Sequence, residues 1–122
     1  EFGSHTHSHS VLTKIDATAC QQELIRAKEI ISQKLGSCSH FCYPYGSYND
    51  SVIEIVKKHY DTAVIIKHGY NTEKSNQYKL KRIPITNRNT NWSFVLDLFC
   101  NFSLFHHWLI KAYSQLRKYK KE

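Results

Sequence analysis

The sequence predicts an α/β domain in which parallel strands alternate with crossover helices. Two segments have the apolar spacing of amphipathic helices, a short apolar run follows each of them, and glycine or proline ends the first run. The chain has 122 residues and is 41% hydrophobic, which is enough for one hydrophobic core and too little for two. In an α/β domain of this kind the loops at the carboxyl ends of the strands lie on one side of the sheet.

The first predicted helix covers residues 15–35. Asp16 or Thr18 is available as its N-cap, and Gly36 follows as a stop signal. Its apolar stripe consists of Leu24, Ala27, Ile31 and Leu35. This spacing predicts a helix that packs one side against a core.

The first predicted strand covers residues 40–43 and runs into a turn that contains Pro44 and Gly46. A second helix is predicted over residues 50–60, with Asn49 or Asp50 as its cap. Its stripe consists of Val52, Ile55, Val56 and Tyr60.

A continuous apolar run over residues 63–66 is typical of a strand that is buried on both faces. A short strand is then expected at residues 81–85. From Trp92 onward the sequence is apolar and predicted helical, so we divide the chain into a domain portion, residues 1–90, and a helical segment with a basic tail, residues 91–122. The apolar part of this segment is shorter than a membrane span and is interrupted by polar residues, so we expect it to pack on the domain.

The net charge is +7, and five of the 17 basic residues lie in the last dozen positions. These five are Lys111, Arg117, Lys118, Lys120 and Lys121. A terminal charge run is usually a solvated end, so nucleic-acid binding is not expected. Peripheral contact of a basic C-terminal helix with a membrane stays an alternative.

The four cysteines form no CxxC pair, and the Cys38 and Cys42 spacing has no second pair that would complete a zinc knuckle. They are therefore interpreted as buried free thiols. The first residues contain no apolar leader, and the compartment cannot be read from the composition.

Three histidines alternate near the start of the chain, in the stretch EFGSHTHSHSVL. His5 and His9 are four residues apart, a spacing that allows both imidazoles to reach one divalent ion, whereas His7 lies off that side. Thr6 and Ser8 supply hydroxyl groups that could orient the imidazoles. Two histidines at this spacing also occur by chance, so the pair alone is weak evidence for a metal site.

A second motif, FCYPYG at residues 41–46, follows one predicted crossover helix later at a strand end. Loops that follow neighbouring strands should lie side by side. One loop then offers metal ligands, and the other offers aromatic rings on a rigid turn. Taken alone, the second motif is equally compatible with an ordinary proline-glycine turn.

The two motifs, in this order and at this separation, resemble those of the NodB-type polysaccharide deacetylases, a carbohydrate esterase family. The family's second motif is a histidine, a serine or threonine, two further residues and a histidine. Its third motif is FRPPYG or FAYPYG, and the later stretch YKLKRIPI looks like the LxRIxV segment of the FAYPYG subgroup. The resemblance extends over about residues 1 to 85 and implies part of a distorted (β/α) barrel.

The resemblance also implies an activity: hydrolysis of the N-acetyl amide of polymers that contain N-acetylglucosamine, with a divalent metal, most often zinc. It makes His5 and His9 the imidazole ligands and the backbone N–H of Tyr45 an oxyanion donor. Tyr43, Pro44 and Tyr45 would form one wall of the sugar groove, and Arg82 would take over the orienting role of the arginine that Cys42 replaces. A cell-envelope or extracellular location is typical of the family.

The family's first motif, TFDDG, supplies an aspartate ligand and an aspartate base, and this sequence has no Asp-Asp pair. The LxH motif is not evident either; Leu104 and His106 have its spacing but not its surroundings. We therefore expect a C-terminal portion of a deacetylase that is inactive alone, since the loss of a general base costs about 10² to 10⁴ in rate. The alternatives are a non-catalytic carbohydrate-binding module and a basic protein that binds membrane or nucleic-acid surfaces.

Overall fold

In a computed structural model of the chain, the described residues are 1–85 and 94–95. Glu1–Arg82 forms one compact unit, and residues 83–122 form a second. Two helices, α1 (Ala17–Leu35) and α2 (Asp50–Lys57), accompany three strands, β1 (His40–Cys42), β2 (Thr62–His68) and β3 (Leu80–Arg82). The strands form a parallel sheet in the order β1-β2-β3, which confirms the predicted fold class.

Both helices begin where polar side chains cap them. The Asp16 carboxylate accepts a hydrogen bond from the N–H of Ala19, and the Asn49 side chain accepts one from the N–H of Val52. Gly36 ends α1 with a φ of 97°, a conformation that favours glycine. The predicted caps and the stop signal of α1 are confirmed.

The core lies between the two helices and one face of the sheet. Phe41 and Tyr43 of the first strand segment, together with Ala63 and Ile65 of β2, are at most 5% exposed. They pack against Leu12 and against α1 and α2 residues, which are Cys20, Leu24, Val52, Ile53 and Val56. Alternate strand residues therefore face both helices across one core.

Two details of the predicted core were wrong. Residues 63–66 were expected to be buried on both faces, yet Ile66 is 57% exposed, because its side of β2 is not covered by α1 or α2. Leu35 is 53% exposed, because the last turn of α1 extends beyond the core. The last strand also begins and ends earlier than predicted, at Leu80–Arg82 rather than residues 81–85.

A segment around Ser4 lies beside β1 on the edge away from β2. The N–H of Ser4 donates to the carbonyl of His40 at 2.8 Å, and the N–H of Cys42 donates to the carbonyl of Ser4 at 2.9 Å. The pairing is parallel. The chain that follows Ser4 therefore leaves the sheet at the same end as the chain that follows Cys42.

The predicted C-terminal helical segment, its basic tail and Cys100 lie outside the described residues, apart from Phe94 and Val95, which are helical. The division at residue 90 thus stays a prediction. Within the described part of the chain, no helix is long and apolar enough to span a membrane. Cys20 and Cys38 are buried free thiols, as predicted, and Cys42 is a partly exposed one.

Candidate active site

Two loops meet at the carboxyl end of the sheet. We call residues 5–9 the histidine loop, which follows the Ser4 segment, and residues 43–46 the proline turn, which follows β1. The side-chain hydroxyls of Thr13 and Ser47, just beyond the two loops, are 2.6 Å apart and join their flanks. The prediction that the two motifs lie side by side is confirmed.

The imidazoles of His5 and His9 face one another. Their Nε2 atoms are 3.0 Å apart, and the ring centroids are 4.7 Å apart with 63° between the planes. Two nitrogens bound at about 2.1 Å to one ion would lie roughly 3.0 Å apart at a right angle and roughly 3.4 Å apart at a tetrahedral angle. The observed separation is a hydrogen-bond distance between the two rings, and it also matches two adjacent ligands of one divalent ion at a right angle.

The tautomer of His5 follows from its second ring nitrogen. Nδ1 lies 2.7 Å from the carbonyl oxygen of Cys42, which can only accept a hydrogen bond. Nδ1 therefore carries the hydrogen, and in the neutral ring Nε2 keeps its lone pair. Orientation of a ligating imidazole by a backbone carbonyl is common in metal sites.

The ring of His9 is also in contact with Tyr45, the exposed tyrosine of the proline turn. The two ring centroids are 4.7 Å apart with the planes at 68°. Tyr45 is 65% exposed, and its φ of 57° is unusual for a residue other than glycine. The turn thus displays one aromatic ring directly beside the histidine pair.

The other residues of the proline turn support it from beneath. Tyr43 is 1% exposed, and its hydroxyl donates to the carbonyl of Tyr78 at 3.1 Å. Desolvation by burial raises the pKa of Tyr43 well above its usual range, so this hydroxyl stays protonated. Pro44 is also buried, and a side chain at Gly46 would collide with Ile66. Of the residues predicted to form the groove wall, Tyr45 is the one whose ring is accessible.

The backbone of the turn leaves one donor without a backbone acceptor. Gly46 N–H donates to the carbonyl of Tyr43, and Ser47 N–H donates to that of Pro44, both at 3.0 Å. No backbone hydrogen bond of this kind involves the N–H of Tyr45 among the described residues. The predicted oxyanion role of this N–H stays a prediction.

Arg82 ends β3, the strand next to β2. Its Nε donates to the carbonyl of Ile65 at 3.1 Å, which ties β3 to β2. Its suggested orienting role in the site stays a prediction.

The expected hydroxyl support from Thr6 and Ser8 was wrong in its details. The Thr6 hydroxyl oxygen is buried without a hydrogen-bond partner among the described residues. The Ser8 hydroxyl contacts Ser10 and Glu23 rather than an imidazole. The partner of His5 is instead the Cys42 carbonyl, which the sequence could not indicate because every residue has a carbonyl group.

Glu23 is a second residue that the sequence analysis did not single out. It lies on α1, and its carboxylate accepts hydrogen bonds from the N–H groups of His7 and Ser8 at 3.1 and 2.8 Å. Partial burial alone would raise the pKa of Glu23, but the hydrogen bonds from Ser8 and His7 outweigh it, so the pKa lies below its ordinary value. Glu23 is therefore ionised at neutral pH and holds the tip of the histidine loop.

The donor set of the site has two imidazoles and no carboxylate. Among residues 1–85, 94 and 95, no group of three His, Cys, Asp or Glu side chains is arranged to hold a metal ion. The pair can supply two ligands, and a complete coordination sphere requires at least one more from elsewhere.

Comparison with known proteins gives a consistent result. A sequence profile described as polysaccharide deacetylase matches residues 1–64, and no curated protein sequence matches the chain. The solved structure of a polysaccharide deacetylase from Bacillus cereus is 28% identical, with a TM-score of 0.73 over 80% of this chain and 32% of that one. A Bacillus anthracis protein proposed to have the same activity is 29% identical, with a TM-score of 0.72 over 80% of this chain and 31% of that one.

A deacetylase from Streptococcus pyogenes, solved in complex with acetate, has a similar fold. Its TM-score is 0.75 at 22% identity, over 80% of this chain and 44% of that one. The chain thus spans between 31% and 44% of the length of these solved structures.

Proposed function

Because the chain belongs to the polysaccharide deacetylase family, which consists of hydrolases that act on amide bonds, we propose that it carries part of the active site of a metal-dependent deacetylase. The proposed substrate is a polysaccharide with N-acetylated sugars, and the proposed metal is zinc. The comparisons support the family and the fold, and the arrangement of the two loops supports the site.

The observation that carries the proposal is the 3.0 Å separation of the His5 and His9 Nε2 atoms. Two imidazoles at this distance, one of them oriented by the Cys42 carbonyl, are suited to share a divalent ion. When bound, such an ion polarises an amide carbonyl and makes a water molecule more acidic. His5 and His9 would hold it in place.

The proline turn would act on the acetyl group and the sugar. The N–H of Tyr45 lacks a backbone acceptor among the described residues and could donate to the oxygen on which negative charge develops. The exposed Tyr45 ring would contact the sugar, while Tyr43 and Pro44 hold the turn rigid from the core. Arg82 would support the same edge of the groove.

We also propose that these residues alone do not turn over substrate. Among the described residues no carboxylate joins His5 and His9 as a third ligand, and the aspartate pair that supplies the base in the family is absent from the sequence. Without a base the hydrolysis rate falls by about 10² to 10⁴. A complete site would need carboxylates that the described residues do not supply.

Zinc titration by calorimetry of the 122-residue chain and three variants tests the site. His5→Ala and His9→Ala should each abolish measurable binding, whereas His7→Ala should bind as the unchanged chain does, because His7 is exposed and makes no ring contact with the pair. If His7→Ala lost binding and His9→Ala kept it, the assignment of the ligands would be overturned.

Acetate release from N-acetylglucosamine oligomers tests whether the chain alone is inactive. We expect no zinc-dependent release from the chain alone. Zinc-dependent release that His9→Ala removed would contradict the claim that the described residues lack an essential group.

The exposed Tyr45 ring also fits a second function, a non-catalytic carbohydrate-binding module. That function predicts saturable binding of glycan oligomers that survives His5→Ala and His9→Ala but is lost in Tyr45→Ala. Binding that depends on zinc and on both histidines would favour the deacetylase site instead.

A further inference from the structure

The carboxylate of Glu23 is the main connection between the histidine loop and helix α1. Oε2 accepts from two successive backbone N–H groups, those of His7 and Ser8, and Oε1 accepts from the Ser8 hydroxyl at 2.8 Å. The Ser8 hydroxyl is also 2.7 Å from that of Ser10. Both oxygens of the carboxylate are therefore used to hold one short stretch of backbone.

The histidine loop has a backbone that needs such support. Thr6 and His9 have φ values of 64° and 59°, in the left-handed region that residues other than glycine rarely occupy. His7, Ser8 and His9 are exposed, so burial contributes little to holding them. Strained backbone of this kind persists only when the surrounding contacts over-determine it.

The support comes from a rigid element. Leu24, the residue after Glu23, is completely buried in the core, and the helix is capped by Asp16 at its start. Charge-assisted hydrogen bonds to an ionised carboxylate are also stronger than neutral ones. Residues 7 and 8, which lie between His5 and His9 in sequence, are thus fixed relative to the core.

We propose that Glu23 is a positioning residue for the histidine pair. By anchoring residues 7 and 8 to α1, it keeps the Nε2 atoms of His5 and His9 at the separation that a shared ion requires. The inference rests on the proposed metal site, but the anchoring itself is a property of the metal-free chain.

The test compares Glu23→Gln with Glu29→Gln in the 122-residue chain. Glutamine has the same shape as glutamate, but its NH₂ group cannot accept a hydrogen bond, so one side of the anchor is lost. Glu29 is an exposed residue of the same helix and gives the same change in charge. Zinc affinity should fall roughly tenfold in Glu23→Gln, the scale of indirect ligand support, and should not change in Glu29→Gln.

Amide hydrogen exchange without metal provides an independent readout. In Glu23→Gln the N–H groups of His7 and Ser8 should exchange at least several-fold faster, while core amides such as that of Leu24 keep their rates. Ser8→Ala leaves the sequence of the helix unchanged and removes only the hydroxyl that donates to Glu23 Oε1. It should show a smaller effect in the same direction, and it replaces Glu23→Gln as the test if that variant does not fold.

The outcomes distinguish a failure of the proposed metal site from a failure of the positioning role of Glu23. If the unchanged chain and His9→Ala take up zinc alike, the metal site fails, and the exchange rates still decide whether Glu23 anchors the loop. If zinc binding depends on His9 but Glu23→Gln binds as tightly as Glu29→Gln, the positioning role is overturned while the site stands.

Discussion

The histidine loop and the proline turn meet at the same end of the sheet but are held by different forces. The proline turn is supported by burial: Tyr43 and Pro44 are in the core, and Gly46 is in contact with Ile66. The histidine loop is almost entirely exposed and depends on the hydrogen bonds that it donates to the Glu23 carboxylate and to the Cys42 carbonyl.

The difference suggests a division of labour. Dense packing can hold the proposed backbone donor of one turn at a fixed position, whereas polar anchors hold the proposed metal-ligating side chains at the surface, where an ion and water can reach them. Changes to the turn should therefore be measured mainly as lost stability, and changes to the loop mainly as lost binding.

Tyr43→Ala is expected to have the largest effect. Truncation of a fully buried aromatic side chain costs about 3 to 5 kcal/mol of unfolding free energy, through lost burial and the cavity left behind. Tyr43→Phe should cost only about 1 kcal/mol, because it removes the hydroxyl that donates to the Tyr78 carbonyl and leaves the packing intact. Urea denaturation of both variants checks this, and equal losses would show that packing does not hold the turn.

Gly46→Ala should have the next largest effect, about 2 kcal/mol. Its φ is 63°, and an added Cβ would lie 2.9 Å from Cγ1 and Cδ1 of Ile66, so the variant suffers backbone strain and a collision. Most of the collision should disappear when Ile66→Ala is combined with it, because of the three close atoms only the Cβ of residue 66, 3.1 Å away, remains. A double-mutant cycle should give a coupling of at least 0.5 kcal/mol, and strict additivity would contradict the close contact.

The Glu23 anchor should have a small effect on stability with a defined pH dependence. Because the pKa of Glu23 is lowered in the folded chain, its contribution is present above the unfolded value, near 4.5, and is lost as the pH falls through the folded value. The stability difference between the unchanged chain and Glu23→Gln, about 1 kcal/mol at pH 7, should shrink at pH 3 to 4. Thermal unfolding at both pH values measures it. A difference that grew on acidification would contradict the anchor.

Local sequence signals predicted much of the fold. Asp16, Asn49 and Gly36 determine helix ends through side-chain caps and a left-handed backbone, both of which are read from residue type. The exposure of Ile66 was missed, because the apolar run shows that a strand can be buried but not what covers each face.

The candidate site was predictable only in its side chains. The spacing of His5 and His9 and the FCYPYG motif placed the two loops together. The sequence contains no signal for the contact with the Cys42 carbonyl. Glu23 is 15 residues away from Ser8, and no feature of the sequence around it distinguishes it from Glu29. Support of this kind depends on how α1 crosses the loop, which follows from the tertiary structure.

Nitrogen NMR of the histidine side chains during zinc addition tests the central claim most directly. Without metal, His5 should carry its hydrogen on Nδ1, because that atom lies 2.7 Å from the Cys42 carbonyl oxygen. Zinc should then shift the Nε2 resonances of His5 and His9 together, with the same apparent affinity, and leave those of His7 unchanged. Zinc-dependent shifts at His7, or at only one of the two facing imidazoles, would contradict a shared metal site.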